Sequence, residues 1–208
     1  MKAIDIIGIL VLVLALVSSP ASADTGELIA MCADCHGSDG VSAHEDVPTI
    51  AGQSKSFLAK TLRTYQIWGR PCIRSAYRSG DTTRPPVDMC KIAEGLTGED
   101  IAALSEHYSQ LPFRPAVQDF DPNLVPVGAE LHEKYCEKCH EQGGRHADSA
   151  PILAGQWIPY LRTSLKYVPT GEHLVPPLME KTVADMGKDS GFSSLARTMK
   201  RDNINVQP

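Results

Sequence analysis

Aromatic side chains are scarce: they make up 6% of the 208 residues. That is little ring surface with which to fill two independent cores, and small domains so provisioned lean on a covalent staple or a buried prosthetic group. No block of Lys or Arg interrupts the chain, whose net charge is −5 with both signs interspersed; a nucleic-acid or anionic-lipid surface is therefore not expected. No alternating apolar–polar stretch lasts long enough for a half-buried strand, and no βαβ pattern is present. Long apolar runs are missing beyond the first, Ile6 to Val17, which is short against the roughly 20 residues that span a bilayer. With Lys2 before it and Ala21-Ser22-Ala23 after it, this run reads as a secretory signal peptide over residues 1–23, removed after Ala23. The expectation is an exported, periplasmic chain with no transmembrane segment once mature, and no nucleic-acid partner.

What is present is a duplication. CADCHGSDGVSAHEDVPTIAGQSKSFLAKTLRTY, from Cys32, matches CEKCHEQGGRHADSAPILAGQWIPYLRTSLKYV, from Cys136. Each copy has CxxCH, glycine-containing polar residues, a proline, two residues, then Ala-Gly-Gln. Each continues into an apolar-periodic stretch: Phe57, Leu58, Leu62 and Tyr65 in one, Tyr160, Leu161, Leu165 and Val168 in the other. The offset is 104 residues at Cys32 and 103 at Pro48, so one short indel separates the copies. The expected organisation is a first domain at 24–111, a proline-rich strap at 112–127 and a second domain at 128–208. The strap holds Pro112, Pro115, Pro122 and Pro126 and lacks helical periodicity, while Phe113, Val117, Phe120 and Leu124 predict that it packs against something.

The expected secondary structure is helical. Helices are predicted over 27–32 and 129–135, each running into a CxxCH, and over 56–67 and 158–167. A further helix over 101–110 has Thr97 as N-cap and Asp100 closing a capping-box-like pair. The predicted fold is all-α: two tandem domains related by an internal repeat and preceded by a signal peptide.

Three chemistries use CxxC. A four-cysteine zinc site would have to join pairs a hundred residues apart, each already carrying its own histidine. A thioredoxin-like dithiol follows a strand and opens a helix, which lowers the thiol pKa; these pairs end helices. Covalent haem attachment uses both thiols for the two vinyl groups and places the next histidine under the iron. That reading assigns Cys32, Cys35, Cys136 and Cys139 as thioether sites, and His36 and His140 as proximal ligands. Gly37 and Gly40, or Gly143 and Gly144, would let the backbone turn at the haem edge. Carbonyls near Pro48 and Pro151 would accept the histidine Nδ1–H.

For the sixth ligand of the first iron, Met89 follows Pro85-Pro86 in a segment read as irregular. For the second, Met179 follows Pro176-Pro177 in the same way, with Met186 and His173 as alternatives and Met199 also available. In the preferred register Met186 is a core residue and 192–199 is the last helix. His44, His107, His132 and His146 read as surface or structural. Cys72 and Cys90 remain: in an exported chain they pair, restraining the adjoining Met89. The alternative is a free thiolate that ligates iron or meets a sulfur substrate.

These residues resemble a known family. Two CxxCH domains in tandem look like the class I dihaem cytochromes of the cytochrome c4 group. RPAVQDFD, GAELHEKYCEKCH and ILAGQWIPYL are more narrowly similar to the cytochrome subunit of flavocytochrome c sulfide dehydrogenase. The resemblance implies two covalently bound haem c groups with His36 and Met89, and His140 and Met179, as iron ligands. It implies electron transfer from a flavoprotein subunit or other donor to a soluble or membrane-bound acceptor, without catalysis of its own. A stand-alone carrier is the alternative, as is a haem enzyme oxidising a sulfur compound. The Cys72 and Cys90 pair looks more like the stand-alone dihaem relatives.

Overall fold

The computed structural model describes residues 24–146 and 148–189; the expected signal peptide and the expected helix over 192–199 lie outside them. The first copy contains α1 (Thr25–His36), α2 (Lys55–Gln66), α3 (Met89–Glu94) and α4 (Gly98–Ser109). After a 3-10 turn at Pro122–Leu124 come α5 (Val125–Tyr135), the single turn α6 (Glu141–Gly144), α7 (Ile158–Lys166) and α8 (Pro177–Met186). The described residues form no named strand; Ser75 and Val87 make an isolated bridge.

Helix starts follow local chemistry. Asp24, Ser54, Asp88 and Thr97 each accept a backbone N–H one turn into α1, α2, α3 and α4. Thr97 and Asp100 complete the reciprocal capping box, with the Thr97 N–H donating to Asp100 at 2.8 Å. In α4, Ile101, Leu104, Ser105 and Tyr108 are buried, the three- and four-residue steps of one helical face. That face meets Leu28 of α1, Leu58 of α2 and Leu96 before α4 to form the first copy's core. Burying each Leu or Ile contributes about 1.5–3 kcal/mol. The second copy buries Leu131, Ile152 and Val168 among the described residues.

Two expectations change. The strap is extended only over residues 112–121; the chain turns helical at Pro122, and α5 starts at Val125, where Pro126 takes an early helical position at which its missing N–H costs nothing. Val117 and Phe120 face solvent, 95% and 66% exposed, rather than packing inward. Phe113 and Leu124 are half-buried, Phe113 against Gly52, and backbone and amide bonds hold the rest of the strap. Ala116 N–H donates to the Gly155 carbonyl at 2.7 Å, and Gln118 donates to the Gln156 carbonyl at 3.0 Å while accepting from Ile158 N–H at 2.8 Å.

The two copies meet through their Ala-Gly-Gln segments. Gln156 accepts from the Thr49 N–H and donates to the Thr49 carbonyl, both at 2.9 Å. Gln53 accepts from the Ile152 N–H at 2.9 Å and donates to the Ile152 carbonyl at 3.3 Å. Thr49 and Ile152 occupy equivalent places in the repeat, as do Gln53 and Gln156. Residue i of one copy meets j of the other, and j meets i, as across a two-fold axis. The neighbouring glycines, Gly52 and Gly155, have φ of +70° and +83°, and the strap lies hard against both. A Cβ would fall 2.6 Å from the Phe113 nitrogen at Gly52, and 2.8 Å from Pro115 Cβ at Gly155. Only glycine combines that left-handed φ with so close a backbone approach.

Candidate metal centres

His36 ends α1, and its Nδ1 lies 2.8 Å from the Pro48 carbonyl. His140 Nδ1 lies 3.1 Å from the Pro151 carbonyl. A carbonyl only accepts, so each Nδ1 carries the proton and each Nε2 keeps its lone pair, the form in which imidazole ligates metal. Burial lowers the pKa of both rings, the proline carbonyls partly opposing it, and so favours the neutral state. Both rings are 7% exposed. The proline loops are fixed the same way in each copy. Gly40 carbonyl accepts from Ile50 and Ala51 at 2.8 and 3.1 Å; Gly144 carbonyl accepts from Leu153 and Ala154 at 2.8 and 3.0 Å.

The cysteine pairs are unbridged. Burial pushes the Cys32 thiol up to about 11 and raises Cys35 and Cys136. A redox dithiol needs the opposite shift. Among the described residues, the one cluster of three potential metal-binding side chains is Cys72, Asp88 and Cys90, and two of these form a disulfide; nothing draws the two CxxC pairs into a common zinc site. Two histidine sites, each with a carbonyl-anchored imidazole and each preceded by an unbridged CxxC pair, fit covalent haem.

The Met positions are set differently in the two copies. Met89 is the first residue of α3, not part of an irregular segment. Asp88 caps that helix, accepting from Lys91 N–H at 3.0 Å. The Cys72–Cys90 disulfide, with Cα atoms 5.5 Å apart, and the Ser75–Val87 bridge hold the approach to it. Met179 is the third residue of α8, which has no side-chain cap, and Met186 is its last; both are half-buried. Met199 lies outside the described residues. His173, the alternative ligand, is a buried histidine. It is 6% exposed, its Nδ1–H donates to the Ser164 carbonyl at 2.9 Å, and burial, with Arg70 nearby, lowers its pKa to about 4. His132 is an ordinary structural histidine, 3.1 Å from Glu137.

The two CxxCH segments also differ in cover. In the first, the Asp34 carbonyl accepts from Arg78 and Ser79 N–H at 2.7 and 3.0 Å, and its carboxylate pairs with Arg84. Arg84 stacks on Tyr77, 3.6 Å from the ring centre, and Arg78 meets Asp46 at 2.5 Å. In the second, α5 ends at Tyr135, the cysteines lie in turns, and Cys139 is exposed. Glu137 there accepts from Gln142 and Gly143 N–H at 2.8 and 3.0 Å. The sequence reading did not foresee the seam glutamines, or Arg70 and Tyr160 beside them. Its available signal was Ala-Gly-Gln itself, a polar residue kept in both copies beside apolar ones.

No family model matches the chain. Cytochrome c4 of Azotobacter vinelandii is 29% identical over 162 residues, 73% of each chain. Cytochrome c-554(548) of Halomonas halodenitrificans is 32% identical over 81 residues, 39% of this chain and 84% of that one. The cytochrome subunit of sulfide dehydrogenase of Chlorobaculum tepidum is 28% identical over 93 residues, 44% of this chain and 71% of that one. Among solved structures, reduced recombinant cytochrome c4 of Pseudomonas stutzeri has a TM-score of 0.62 at 24% identity, covering 83% of this chain and 92% of that one. With the doubled histidine-and-thiol geometry, these likenesses place the chain in the dihaem class I cytochromes c of the cytochrome c4 kind, electron-transfer proteins carrying two covalently bound haem c groups.

Proposed function

We propose that the chain is the haem-bearing electron-transfer subunit, or detachable partner, of a flavoprotein sulfide dehydrogenase, working in the periplasm after removal of residues 1–23. In this reading residues 24–111 and 128–208 are the two haem domains and 112–127 the strap. Cys32 and Cys35, and Cys136 and Cys139, form the thioethers. His36 with Met89, and His140 with Met179, would hold the two irons. When bound, the haem iron supplies a one-electron change of oxidation state. The protein's part is positional. The Pro48 and Pro151 carbonyls fix the imidazole planes and raise their basicity through the Nδ1–H bonds. Thioether ligands and burial hold the potential high. With two protein ligands to each iron, the haems would exchange electrons rather than bind a substrate.

The observation that carries the electron-transfer core of this reading is the paired, neutral, carbonyl-anchored histidine geometry in both copies. The likeness to a sulfide dehydrogenase cytochrome subunit supports the donor. Purification of the native protein tests it: a flavin-containing partner should copurify, and sulfide should reduce both haems only in its presence. The protein eluting alone, and unreduced by sulfide with any copurifying fraction, defeats the flavoprotein reading. A stand-alone carrier is favoured by the more even coverage of cytochrome c4, 73% of each chain, and the same purification decides for it.

A further inference from the structure

Trp68, just past the end of α2, is a bulky residue in the left-handed region, with φ of +57°. A tryptophan there is strained backbone, and such strain persists where something else is gained by it. The repeat shows what the turn itself needs. At the 103-residue offset stands Gly171, with φ of +76° and nothing within 4 Å of where a Cβ would sit. Both residues close the same turn: Trp68 N–H donates to the Tyr65 carbonyl at 3.0 Å, and Gly171 N–H to the Val168 carbonyl at 3.2 Å. Glycine makes that turn without strain. Burial of the indole does not offset the strain either, since Trp68 is 65% exposed. Its neighbours are exposed and apolar as well. Ile67 precedes it, and Leu174 of the second copy lies on Gly69, where a Cβ would come 2.7 Å from Leu174 Cδ1. Ile73, also exposed, follows Cys72 of the disulfide. The second copy has Thr170, Gly171 and Pro176 where the first has Ile67, Trp68 and Ile73, so the repeat does not require this apolar surface.

The charge around it has one sign. Between Asp46 and Asp81 the chain holds six Lys and Arg and no carboxylate, within a net charge of −5. Of the six, Lys55 and Arg78 are paired and Arg70 is buried. Lys60 and Arg63, on α2, are exposed and in no ion pair among the described residues; Arg63 stands one helical turn before Ile67. Arg74 donates to the Pro86 carbonyl at 3.1 and 2.6 Å and meets no carboxylate among the described residues. Glu172 is the one acidic residue within two positions of any of the four exposed apolar side chains. We infer that Ile67, Trp68, Ile73 and Leu174, rimmed by Lys60, Arg63 and Arg74, are the docking face for an electron-transfer partner protein that meets them with an apolar centre and a carboxylate-rich rim. A tryptophan at the centre of a polar rim is the pattern of a protein-interface hot spot, and the local charge, opposite to that of the whole chain, selects and steers an acidic face. An anionic bilayer is the poorer occupant, because three spaced cations on a chain of net negative charge hold it weakly. The inference goes beyond the flavoprotein reading: it holds for any acidic redox partner.

The test uses two-haem holoprotein carrying Trp68→Gly, Lys60→Glu with Arg63→Glu, or Phe120→Ser, the last removing an exposed aromatic elsewhere. The probe is a gold electrode coated with mixed methyl- and carboxylate-terminated thiols, which presents the chemistry of the inferred partner face; voltammetry reads how much protein adsorbs and how fast it exchanges electrons. W68G should weaken adsorption roughly tenfold, as loss of a hot spot does, and F120S should leave it unchanged. K60E with R63E should weaken it most at low salt and approach wild type at high salt. Because glycine relieves the turn, W68G should unfold at the same denaturant midpoint as wild type or a higher one. Unchanged adsorption in W68G overturns the inference, and so does a lowered midpoint, which would give Trp68 a structural role. If W68G does not mature, unchanged low-salt adsorption of K60E with R63E overturns it. A dimer that W68G dissolves would assign the face to a second copy. Wild-type binding to phosphatidylglycerol vesicles that W68G abolishes would assign it to a membrane. Either result overturns the inference. Failure of a flavin-containing partner to copurify bears on the flavoprotein reading and leaves each of these outcomes as it stands.

Discussion

Between α2 and α3 the first copy spends residues 67–88; between α7 and α8 the second spends only 167–176. The longer segment carries the disulfide, the Ser75–Val87 bridge and the Arg78 and Arg84 contacts that cover the first CxxCH. The shorter one carries none of these, and the second CxxCH is more open, with Cys139 exposed. What the copies share is the histidine–proline anchor, the glycine carbonyl that pins its loop and the glutamine seam. Duplication has kept what holds a histidine and what joins the halves, and has let the segments leading to α3 and α8 diverge.

Removing one anchor at a time gives the largest effect. Cys32→Ser with Cys35→Ser, and separately Cys136→Ser with Cys139→Ser, should each leave one haem per chain by intact mass. Two haems surviving in either variant would break the equivalence of the copies. Next comes the disulfide. Cys72→Ser with Cys90→Ser should cost about 3 kcal/mol in the chain-entropy model for so short a loop. The loss should appear in denaturant unfolding of the first copy and leave the second copy's transition in place. The seam should respond symmetrically. Gln53→Ala strands one N–H and one carbonyl, Gln156→Ala the same pair plus the Trp157 N–H that its Oε1 also accepts at 3.2 Å; each should cost about 1–3 kcal/mol, and a Gln156→Ala cost below that of Gln53→Ala would break the symmetry of the seam.

The last effect is absent at neutral pH and grows only on acidification. His173 has a folded pKa of about 4, below its ordinary 6.5. Between those values the unfolded chain binds more protons, so stability is full above about pH 6.5 and falls as the pH drops towards 4. Thermal unfolding across that window should show the fall in wild type and less of it in His173→Gln. The equivalent position of the first copy holds Arg70, which does not titrate in this window.

The anchors, the repeat and the Thr97 capping box were legible because covalent spacing and first-turn chemistry are local. The same locality misled in the strap. Its prolines read as a linker, yet Pro126 suits the first turn of α5, and Val117 and Phe120 need no apolar partner because Gln118 and the Ala116 N–H do the holding. Met89 read as irregular because Pro85-Pro86 hid the Asp88 cap that starts α3. The seam was out of reach for a different reason. Gln53 and Gln156 find partners 99 and 107 residues away, and nothing local says that an amide will read a distant backbone. The burial of His173 was out of reach likewise, because its loop docks on the other copy, with Leu174 N–H on the Gly69 carbonyl.

The reciprocal glutamines bind main chain, not side chain, so Thr49 and Ile152 can differ in every atom beyond Cβ without weakening the seam. In that respect the molecule is a homodimer whose two subunits have been spliced into one chain. The strap crosses from one copy to the other over Gly52 and Gly155, and its effect is one of concentration: it converts a bimolecular association into an intramolecular one. A seam of a few amide bonds, too weak to hold two free subunits together at cellular dilution, is then sufficient to keep two redox centres in a fixed relation.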